Sequence, residues 1–513
     1  MARSVIVVGA GVGGLVAAIR AADLGLDVVV LERTQTIGGV GAVMGGAIWV
    51  PANHHMLEAG LADSPGEGAA YLHSVGMGRD DPALGQAFVE RAPVAVRYLE
   101  EQTPLRLLSQ AERPDYAAET RGGKRGGRCL VPDVRAMPTL FASQFAPALA
   151  RVRRRPKPLE AGEQFQAWTG GEALVGALSV ACEQRGIEVR TGTRARRLLF
   201  ERGRVTGVVA DGPLRADAVI IASGSFQWNA SLTARCIAGP APRPITPPGN
   251  EGDGIVMAVE LGAATALMDE TLWLPVIQVP GEEIDGRRLH RPFSTESVRP
   301  GSLVVDRSGN RCYNESFWPA VGEAYVARRM HRGQPAHAPL HWVCDQAYRD
   351  RYPVGPLASG QEQADWLVVA GDLDELGRRL HLPPGSLTAT VERFNAHCTL
   401  GVDPDFGRGA TAYDRSWGDP TVGPNPCLAP LRCPPYYAVR LHPGTVFHRG
   451  GLVVSPDAEV LDVRERVIPG LYATGGAAAQ LAIGASYTSG FGHAQSIVHA
   501  LSAVDKIKAG GGR

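Results

Sequence analysis

The chain has 513 residues, more than one hydrophobic core usually organises, so two domains are expected. Hydrophobic residues make up 44% and charged residues 20%, which is typical of an ordinary soluble globular protein and excludes a disordered or fibrous one. The 52 basic residues balance the 52 acidic residues, so net charge gives no reason to expect a nucleic-acid or membrane partner, and we expect neither.

The cysteines and the first residues bear on the compartment. The eight cysteines are scattered without a CxxC pair, which favours reduced thiols over a disulfide framework or a zinc site, and no metal is expected. The apolar run from Val5 already contains a glycine motif, so we expect no cleavable secretory peptide. The same glycines make the run a poor membrane span. The sequence therefore predicts a cytoplasmic protein.

The chain opens on a strand, a glycine turn, a helix and a second strand. Residues 4–8 (SVIVV) form a β-branched apolar run that suits burial on both faces of a parallel sheet. The turn GAGVGG follows at 9–14, then helical spacing over 15–24 and a second apolar strand over 27–31. This order predicts a βαβ unit.

The glycine turn has the spacing of a dinucleotide site. Gly9 permits the tight turn, Gly11 lets the backbone approach a pyrophosphate, and Gly14 allows close packing of helix on strand. The helix N-terminus offers free amide donors and a positive dipole end to the phosphates. Glu32 closes the second strand, where an acid accepts both ribose hydroxyls. The unit therefore predicts a Rossmann-type dinucleotide site.

Glycine turns at both chain ends favour FAD over NAD. A second turn follows Glu32 at 37–39, and further glycine-rich segments lie at 45–46, 470–476 and 484–490. The last segment precedes an apolar helical stretch from Phe491 to about Ala503. A helix N-terminus beside the pyrimidine end of a flavin would stabilise the anionic reduced ring.

The middle of the chain changes character. Residues 203–208 predict a hairpin strand and 216–222 a buried strand of the first domain. From about 271 to 433 the glycine pattern stops and proline, tryptophan and charged residues become more frequent. Helices are predicted there over 373–380 and 386–398, separated by two prolines. The sequence is thus compatible with an inserted domain.

Ordered motifs along the whole chain resemble one family. They are GGAIWVPAN at 45–53, PDY at 114–116, GGKRGGR at 122–128, NEGDGI at 250–255, DRSGNRCYNES at 306–316, VERFNAH at 391–397 and DFGRG at 405–409, with Tyr413-Asp414 after it. In these segments the chain resembles the fumarate reductase and 3-ketosteroid dehydrogenase group of flavoproteins, closest to the ketosteroid dehydrogenase branch.

The resemblance implies an α/β fold with two parts. A Rossmann-type FAD-binding domain would be formed by residues 1–270 and 434–513, and an α+β substrate-capping domain would be inserted at 271–433. FAD is the implied cofactor. The residues expected to bind it are Gly9, Gly11, Val12, Gly13, Gly14, Glu32, Arg33, Gly38, Gly39, Gly41, Ala42, Gly45, Gly46, Gly224, Asp253, Gly475, Gly476 and Ser489.

Two positions distinguish the branches of the family. The dicarboxylate reductases of this family resemble one another in two segments, a His-His-Thr stretch and an Asn-Arg pair. The cationic side chains of these segments bind the substrate carboxylates. Here Phe447 stands at the matching catalytic histidine, and Ser486-Tyr487 replaces Asn-Arg. Without those cations a dicarboxylate would be poorly paired in a desolvated site, so a neutral ketone is expected.

A ketone dehydrogenase must remove an α-proton while a hydride leaves the β-carbon, and it must stabilise an enolate-like oxygen. Tyrosine can donate to that oxygen or, in a perturbed site, act as the base. Tyr116 matches the family tyrosine in its Pro-Asp-Tyr context. Tyr487, Ser489 and Gly490 resemble the Tyr-x-Ser-Gly of the 4-dehydrogenating steroid branch, and Gly490 matches a backbone donor of the 1-dehydrogenating branch. These four are the predicted catalytic residues.

The general base is left open. Ketosteroid dehydrogenases resemble one another in a tyrosine shortly after an Asn-Glu-Ser segment, and the resemblance implies that this tyrosine is the base. In this chain Pro319 stands at that position. Tyr116 and Tyr487 are the candidates, with Tyr325 a third. The residues expected to wall the substrate pocket are Trp49, Phe317, Trp318, Phe447 and His448, although His448 is also compatible with an ordinary satisfied polar residue.

Two enzymatic functions remain open at this stage. The first is desaturation of a cyclic ketone, a 3-ketosteroid or a smaller cyclohexanone-type compound, with a quinone or other organic electron acceptor. The second is reduction of an activated alkene by the same type of site, as in fumarate or urocanate reductases. A non-enzymatic flavin-binding role would leave the tyrosines without a purpose.

Overall fold

The computed structural model describes residues 3–137, 140, 143–153, 170–329, 333–360 and 364–510. In chain order the strands are β1 (Ser4–Val8), β2 (Asp27–Leu31), β3 (Ile48–Trp49), β4 (Leu107–Ser109), β5 (Cys129–Pro132), β6 (Glu188–Arg190), β7 (Arg197–Glu201), β8 (Arg204–Val209), β9 (Pro213–Arg215), β10 (Ala218–Ile221), β11 (Arg243–Pro244), β12 (Thr265–Ala266), β13 (Thr271–Ile277), β14 (Glu283–Ile284), β15 (Arg287–Arg288), β16 (Arg291–Pro292), β17 (Ser302–Val305), β18 (Arg328–Arg329), β19 (Gln334–Pro335), β20 (Leu340–Asp345), β21 (Val368–Ala370), β22 (Tyr436–His448), β23 (Gly451–Leu452), β24 (Glu459–Leu461) and β25 (Val467–Ala473).

Helices follow the same order. They are α1 (Val12–Asp23), α2 (Gly39–Val43), α3 (His54–Glu58), α4 (Pro65–Val75), α5 (Pro82–Gln102), α6 (Ala146–Ala150), α7 (Gly170–Gln184), α8 (Ala230–Cys236), α9 (Asp253–Val259), α10 (Ser294–Val298), α11 (Val321–Val326), α12 (Gln346–Arg351), α13 (Leu373–Arg379), α14 (Ser386–Leu400), α15 (Ala412–Trp417) and α16 (Phe491–Ala509). No helix among the described residues is both long enough and apolar enough to cross a membrane.

A six-stranded sheet contains both ends of the chain. Its order is β24-β25-β10-β1-β2-β6, and every pair except β24 with β25 is parallel. All of β1 except Ser4 is buried, because strands of a parallel sheet are covered on both faces. Helices α1, α7 and α16 pack together on one face. The βαβ unit predicted over residues 4–31 is confirmed.

The second large sheet has seven strands and lies in the middle of the chain. Its main order is β16-β13-β22-β20-β17, with β11 and β21 also paired to β22. The neighbours β13 and β20 run antiparallel to β22, and α13 and α14 pack nearby in a separate core. A parallel sheet with helices, joined to an antiparallel sheet with helices, confirms the predicted α/β class with an α+β insertion.

Strand β22 joins the two parts. It begins two residues after 434, the position at which the sequence predicts a return to the first domain, yet it is the central strand of the second sheet. Its last residues reach the first part, since Phe447 borders the same cleft as the glycine turn of β1. The fold therefore holds the two sheets on either side of one cleft.

Candidate active site

The cleft opens at the carboxyl edge of the six-stranded sheet. Val8, Leu31, Ile221 and Ala473 are aligned in register, so β1, β2, β10 and β25 end side by side. Ligands of open parallel sheets bind at this edge. About 1970 Å³ of open space, including the mouth, lies beyond it and reaches β22 of the second sheet.

Most residues that the sequence singled out meet in this cleft. Those of the predicted cofactor and catalytic sets that line it are Gly9, Gly11, Val12, Gly13, Glu32, Arg33, Gly38, Gly39, Gly41, Gly45, Gly46, Tyr116, Gly224, Asp253, Gly475, Gly476, Tyr487, Ser489 and Gly490. Of the predicted pocket residues, Trp318 and Phe447 line it.

The first glycine turn works as the spacing predicts. Gly9 has a φ of +109°, and a Cβ there would stand 2.4 Å from the carbonyl oxygen of Ala222. A Cβ on Gly14 would stand 1.9 Å from the carbonyl oxygen of Gly9, so Gly14 packs α1 against β1 and does not line the cleft. Gly11 caps α1 without a side-chain hydrogen bond, which leaves the first amides of the helix for a ligand.

Open glycines and unpaired hydroxyls fit a large polar ligand. A Cβ on Gly11 or Gly45 would meet nothing within 4 Å, although both residues border the cleft. The Oγ atoms of Ser223 and Ser225 also lie at the cleft and are buried with no hydrogen-bond partner in the described chain. Buried hydroxyls are normally paired, so these atoms indicate an additional partner such as a bound cofactor.

Glu32 is fixed at the end of β2. Its Oε2 accepts a hydrogen bond from the backbone N–H of Ala10 at 2.9 Å. Its Oε1 accepts from the backbone N–H and from the hydroxyl of Thr34, both at 2.9 Å. The carboxylate therefore has a defined position at the edge of the cleft, which suits recognition of ribose hydroxyls.

Asp253 has a different environment from the one expected of a cofactor ligand. Its carboxylate accepts hydrogen bonds from Nε and Nη2 of Arg194 at 2.8 and 2.7 Å. Arg33 lies 3.3 Å from it, and also 3.1 Å from Glu251. Asp253 lines the cleft as part of this ion-pair cluster, so its carboxylate primarily orients two arginines.

Three tyrosines gather at the opposite end of the cleft. The ring centroids of Tyr116 and Tyr413 are 4.5 Å apart, and their hydroxyl groups are hydrogen bonded. The Tyr413 hydroxyl also accepts a hydrogen bond from Nε1 of Trp318 at 3.0 Å. Burial raises the pKa of Tyr413 to about 12, and hydrogen bonds from Tyr116, Trp417 and Trp318 act in the opposite direction. Burial raises the pKa of Tyr116 well above its usual value.

Tyr487 faces the same space from the α16 side. Its ring lies 5.9 Å from Tyr116 and 5.5 Å from Phe447, measured between centroids. Burial raises the pKa of Tyr487 to about 12, while hydrogen bonds from the backbone N–H groups of Gly492 and Gly490 lower it. The Tyr487 oxygen thus accepts hydrogen bonds from backbone amides at the N-terminus of α16. The Tyr487 hydroxyl proton is therefore free to be donated to a ligand in the cleft.

An arginine that the sequence analysis passed over lies beside these tyrosines. Arg113 lines the cleft, and its Nη2 donates to the Oγ of Ser489 at 2.8 Å. Burial is the largest influence on the pKa of Tyr116, Tyr413 and Tyr487 and raises it. The positive charge of Arg113 is a smaller influence that lowers the pKa of all three. Its position directly before the Pro-Asp-Tyr segment was the signal that could have found it.

Other lining residues were also missed. They include Thr34, Arg153, Thr193, Arg194, Gln227, Leu272, Trp417, Val446, Gln480, Gly492, His493 and Ser496. Tyr413 belonged to a quoted motif, but only its contact with Tyr116 reveals a place in the site.

Trp49 does not line the cleft. Its side chain is 1% exposed, its Nε1 donates to Asp115 at 2.6 Å, and its ring stacks on Phe88. It therefore belongs to the core beneath the site. Phe317 also does not border the cleft, although its ring contacts that of Tyr116 edge-on at 5.7 Å. Ala42 is fully buried in the same core as Trp49.

His448 is a satisfied buried residue. Its ring nitrogens contact the hydroxyl groups of Thr271 at 2.9 Å and Thr233 at 3.3 Å. Burial lowers the pKa of His448 to about 3, so the ring is neutral, and it does not line the cleft. The polar-residue interpretation fits this environment better than a role in polarising a carbonyl.

Tyr325 lies away from the cleft. Its ring packs 6.0 Å from Trp273, and its hydroxyl is buried with no hydrogen-bond partner in the described chain. Pro319 lies in the short 3-10 turn Trp318–Ala320 and does not line the cleft either. Only Tyr116 and Tyr487, of the three tyrosines considered as bases, border the reacting space.

Comparison with known proteins identifies the family. Residues 4–492 match the FAD binding domain family, so the chain belongs to it. It is 36% identical to the 4-oxocyclohexanecarboxylate 2-dehydrogenase of Sinomonas cyclohexanicum over 92% of this chain and 87% of that protein. It is 33% identical to a 3-oxosteroid 1-dehydrogenase of Mycobacterium tuberculosis over 93% and 92% of the two chains.

A solved structure agrees with these relatives. The 3-ketosteroid delta1-dehydrogenase of Sterolibacterium denitrificans matches with a TM-score of 0.89 and 29% identity, covering 99% of this chain and 100% of that one. A fumarate reductase of Shewanella frigidimarina is more distant, at 27% identity over 92% of this chain and 71% of its own length. The protein is an FAD-dependent oxidoreductase of the dehydrogenase branch of this family.

Proposed function

We propose that the protein introduces a C=C bond next to the carbonyl group of a cyclic ketone, a 3-ketosteroid or a smaller cyclohexanone-type compound, and passes the electrons to a quinone or another organic acceptor. The observation that carries this proposal is the meeting of Tyr116, Tyr413 and Tyr487 at one end of the cofactor cleft. The names of the dehydrogenase relatives support it.

The chain's residues would hold FAD along the whole cleft. The amides at the start of α1 beside Gly11 would bind the pyrophosphate, and Glu32 would accept the ribose hydroxyls. The N-terminus of α16 at Gly490 would stand at the flavin end. When bound, FAD supplies the acceptor for the hydride that leaves the β-carbon.

Tyr116 is our proposed base, with Tyr413 behind it. The hydroxyl of Tyr116 donates to Tyr413, which leaves the lone pairs of the Tyr116 oxygen free to accept a proton. As Tyr116 takes the α-proton it can pass its own proton to a Tyr413 oxyanion, which the indole N–H of Trp318 stabilises. This pair supplies a base although Pro319 replaces the tyrosine found in related enzymes.

Tyr487 would stabilise the developing enolate. Its oxygen accepts from the amides of Gly490 and Gly492, which leaves its proton to donate to the ketone oxygen. Loss of the α-proton and of the β-hydride then leaves the C=C bond between the two carbons. Ser489 contributes indirectly, because its hydroxyl positions Arg113.

We further propose the division into an FAD-binding part (1–270 and 434–513) and a capping part (271–433), with β22 bridging them. A cytoplasmic location is proposed from the cysteines, since all eight lie in the described residues and all are free thiols.

Reduction of an activated alkene is the second candidate and is less supported. A dicarboxylate needs two cationic partners in a dry site. Phe447 and Ser486-Tyr487 supply none, and the fumarate reductase relative is the more distant one.

A steady-state comparison tests the choice between the two directions. The FAD-loaded protein would be assayed with a dye acceptor and a ketone panel, and separately with a reduced dye and fumarate. We expect dye reduction with at least one cyclic ketone and formation of its enone. Turnover of fumarate together with inactivity toward every ketone would contradict the proposal.

A further inference from the structure

We propose that Arg113 anchors a carboxylate on the substrate, so that the preferred substrate is a cyclic oxo acid rather than a neutral ketone. This inference rests on the proposed function and names its substrate class. It identifies Arg113 as a specificity-determining residue at the tyrosine end of the cleft.

The position of Arg113 is set by the loop between β4 and β5. Its backbone N–H donates to the carbonyl of Gln110, which fixes the turn three residues before Tyr116. From there the guanidinium reaches across to the segment before α16 and donates from Nη2 to the Oγ of Ser489 at 2.8 Å. One of its five donors is thus used within the described chain, and the residue borders the cleft.

The charge of Arg113 distinguishes it from the other arginines that line the cleft. Arg33 pairs with Glu251 at 3.1 Å, Arg153 with Asp285 at 3.1 Å, and Arg194 with Asp253 at 2.7 Å. Across the described ranges, Arg113 is the cleft-lining arginine with no carboxylate within 4.0 Å.

The nearest acid in sequence is already occupied. Asp115 accepts hydrogen bonds from Arg128 at 2.9 Å, from Trp49 at 2.6 Å and from the backbone N–H of Lys124 at 3.0 Å. Both of its oxygens are thus engaged by groups other than Arg113. The half-buried guanidinium of Arg113 has one hydroxyl group as its hydrogen-bond partner and no negative charge beside it. An anionic ligand would supply that charge and accept further hydrogen bonds.

The cofactor phosphates do not explain this cation. The amides that suit a pyrophosphate stand at the start of α1, beside Gly11, whereas Arg113 lies with Tyr116 and Tyr487 at the other end of the cleft. We therefore assign the anionic partner of Arg113 to the substrate.

The surroundings of Arg113 indicate what carries that anion. Trp318, Trp417 and Phe447 line the cleft, contact the tyrosines and offer apolar walls for a ring. One unpaired cation at the edge of such walls matches a ring with one carboxylate, bound through the planar fork of the guanidinium. A neutral steroid would leave the guanidinium without an anionic partner.

The test compares two ketones that differ only in the carboxylate. Arg113→Gln and Arg113→Lys would be assayed with 4-oxocyclohexanecarboxylate and with cyclohexanone, alongside Arg125→Gln, which removes an exposed charge from the same loop. For Arg113→Gln we expect kcat/KM for the oxo acid to fall about 30-fold or more, since a charge-assisted contact is lost. The value for cyclohexanone should fall by a clearly smaller factor, because loss of the charge beside the tyrosines affects both ketones, whereas loss of the carboxylate partner affects the oxo acid alone. Arg113→Lys should recover part of the loss, and Arg125→Gln should match the wild type.

A binding measurement separates this proposal from the proposed function. Cyclohexanecarboxylate, which has no ketone to oxidise, would be titrated against the FAD-loaded protein and followed by the flavin absorbance. It should perturb the spectrum of the wild type and of Arg125→Gln, and the effect should be lost in Arg113→Gln with FAD content unchanged. If neither ketone reduces the flavin, the proposed function fails and this titration alone decides the role of Arg113.

Two results would overturn the inference. An equal fall of kcat/KM for both ketones would mean that Arg113 acts on the ketone oxygen or on the tyrosines. Equal binding of cyclohexanecarboxylate to the wild type and to Arg113→Gln would mean that no carboxylate is held there.

Discussion

At the scale of single residues, the two tyrosines of the cleft are assigned opposite roles by their hydrogen bonds. Tyr487 accepts from backbone amides and has a proton to donate, whereas Tyr116 gives its proton to Tyr413 and has a lone pair to offer. Both are phenols in a buried aromatic cluster, so composition alone could not have separated them. The neighbouring donors and acceptors make the difference.

Replacing Tyr487 by phenylalanine tests the donor role. The ring and its packing against Phe447 are kept, so FAD should remain bound, but the ketone oxygen loses a donor when negative charge develops on it. We expect turnover to fall by roughly 100-fold or more. Stopped-flow reduction of the flavin would measure it, and near-normal rates would remove Tyr487 from the mechanism.

The pH dependence tests the base. Burial raises the pKa of Tyr413 to about 12 and that of Tyr116 well above its usual value, so both are protonated at neutral pH. The fraction of the pair that is ionised therefore increases as the pH rises toward that value. We expect the rate of flavin reduction to increase steadily between about pH 7 and 10. A profile that is flat or falls over this range would argue against a tyrosine base.

At the scale of elements, the first glycine turn was fully accessible to sequence reasoning. The strand, turn, helix and strand over residues 4–31 depend on local spacing, and the structure reproduces them. The C-terminal helix was also expected, but it runs to Ala509 because Val504 and Ile507 extend its buried face. Local patterns fix such elements, whereas their ends follow from packing.

Strand β22 shows where local patterns fail. Pro443 and Gly444 in its middle are ordinarily signs of a break. The strand nevertheless continues through them, since Pro443 pairs with Pro275 on β13. A Cβ on Gly444 would stand 2.2 Å from a methyl carbon of Val276, so the glycine permits this close approach. Only the tertiary pairing reveals this.

Two glycines of the turn allow folding to be tested apart from cofactor binding. In Gly14→Ala the new Cβ would stand 1.9 Å from a backbone oxygen, so we expect a lower melting temperature of the apoprotein. In Gly11→Ala the Cβ would meet only the open cleft, so the apoprotein should melt as the wild type does while FAD affinity falls.

Thermal melts of the apoproteins and FAD titrations would check both variants. A Gly11→Ala protein that binds FAD normally would contradict the assignment of this turn to the pyrophosphate.

At the scale of the whole molecule, the cleft is assembled from distant parts of the chain. Gly9, Gly224 and Gly475 could be brought together in advance, because each follows a strand that ends at the same edge of a parallel sheet. Arg113 and Tyr413 could not, because each lies outside that sheet: the loop between β4 and β5 and a hydrogen bond to Ser489 place Arg113, and packing of the second part against Tyr116 places Tyr413. The sequence analysis, which expected a neutral ketone, did not consider Arg113 for this reason.

The most direct test of the account is a single anaerobic reaction. The purified, FAD-loaded protein would be mixed with one equivalent of a saturated cyclic ketone in the absence of any acceptor, and the flavin absorbance would be followed while the product is identified. We predict bleaching of the flavin and an equal amount of the α,β-unsaturated ketone. No bleaching by any ketone, together with reoxidation of the reduced protein by an unsaturated carboxylate, would contradict it.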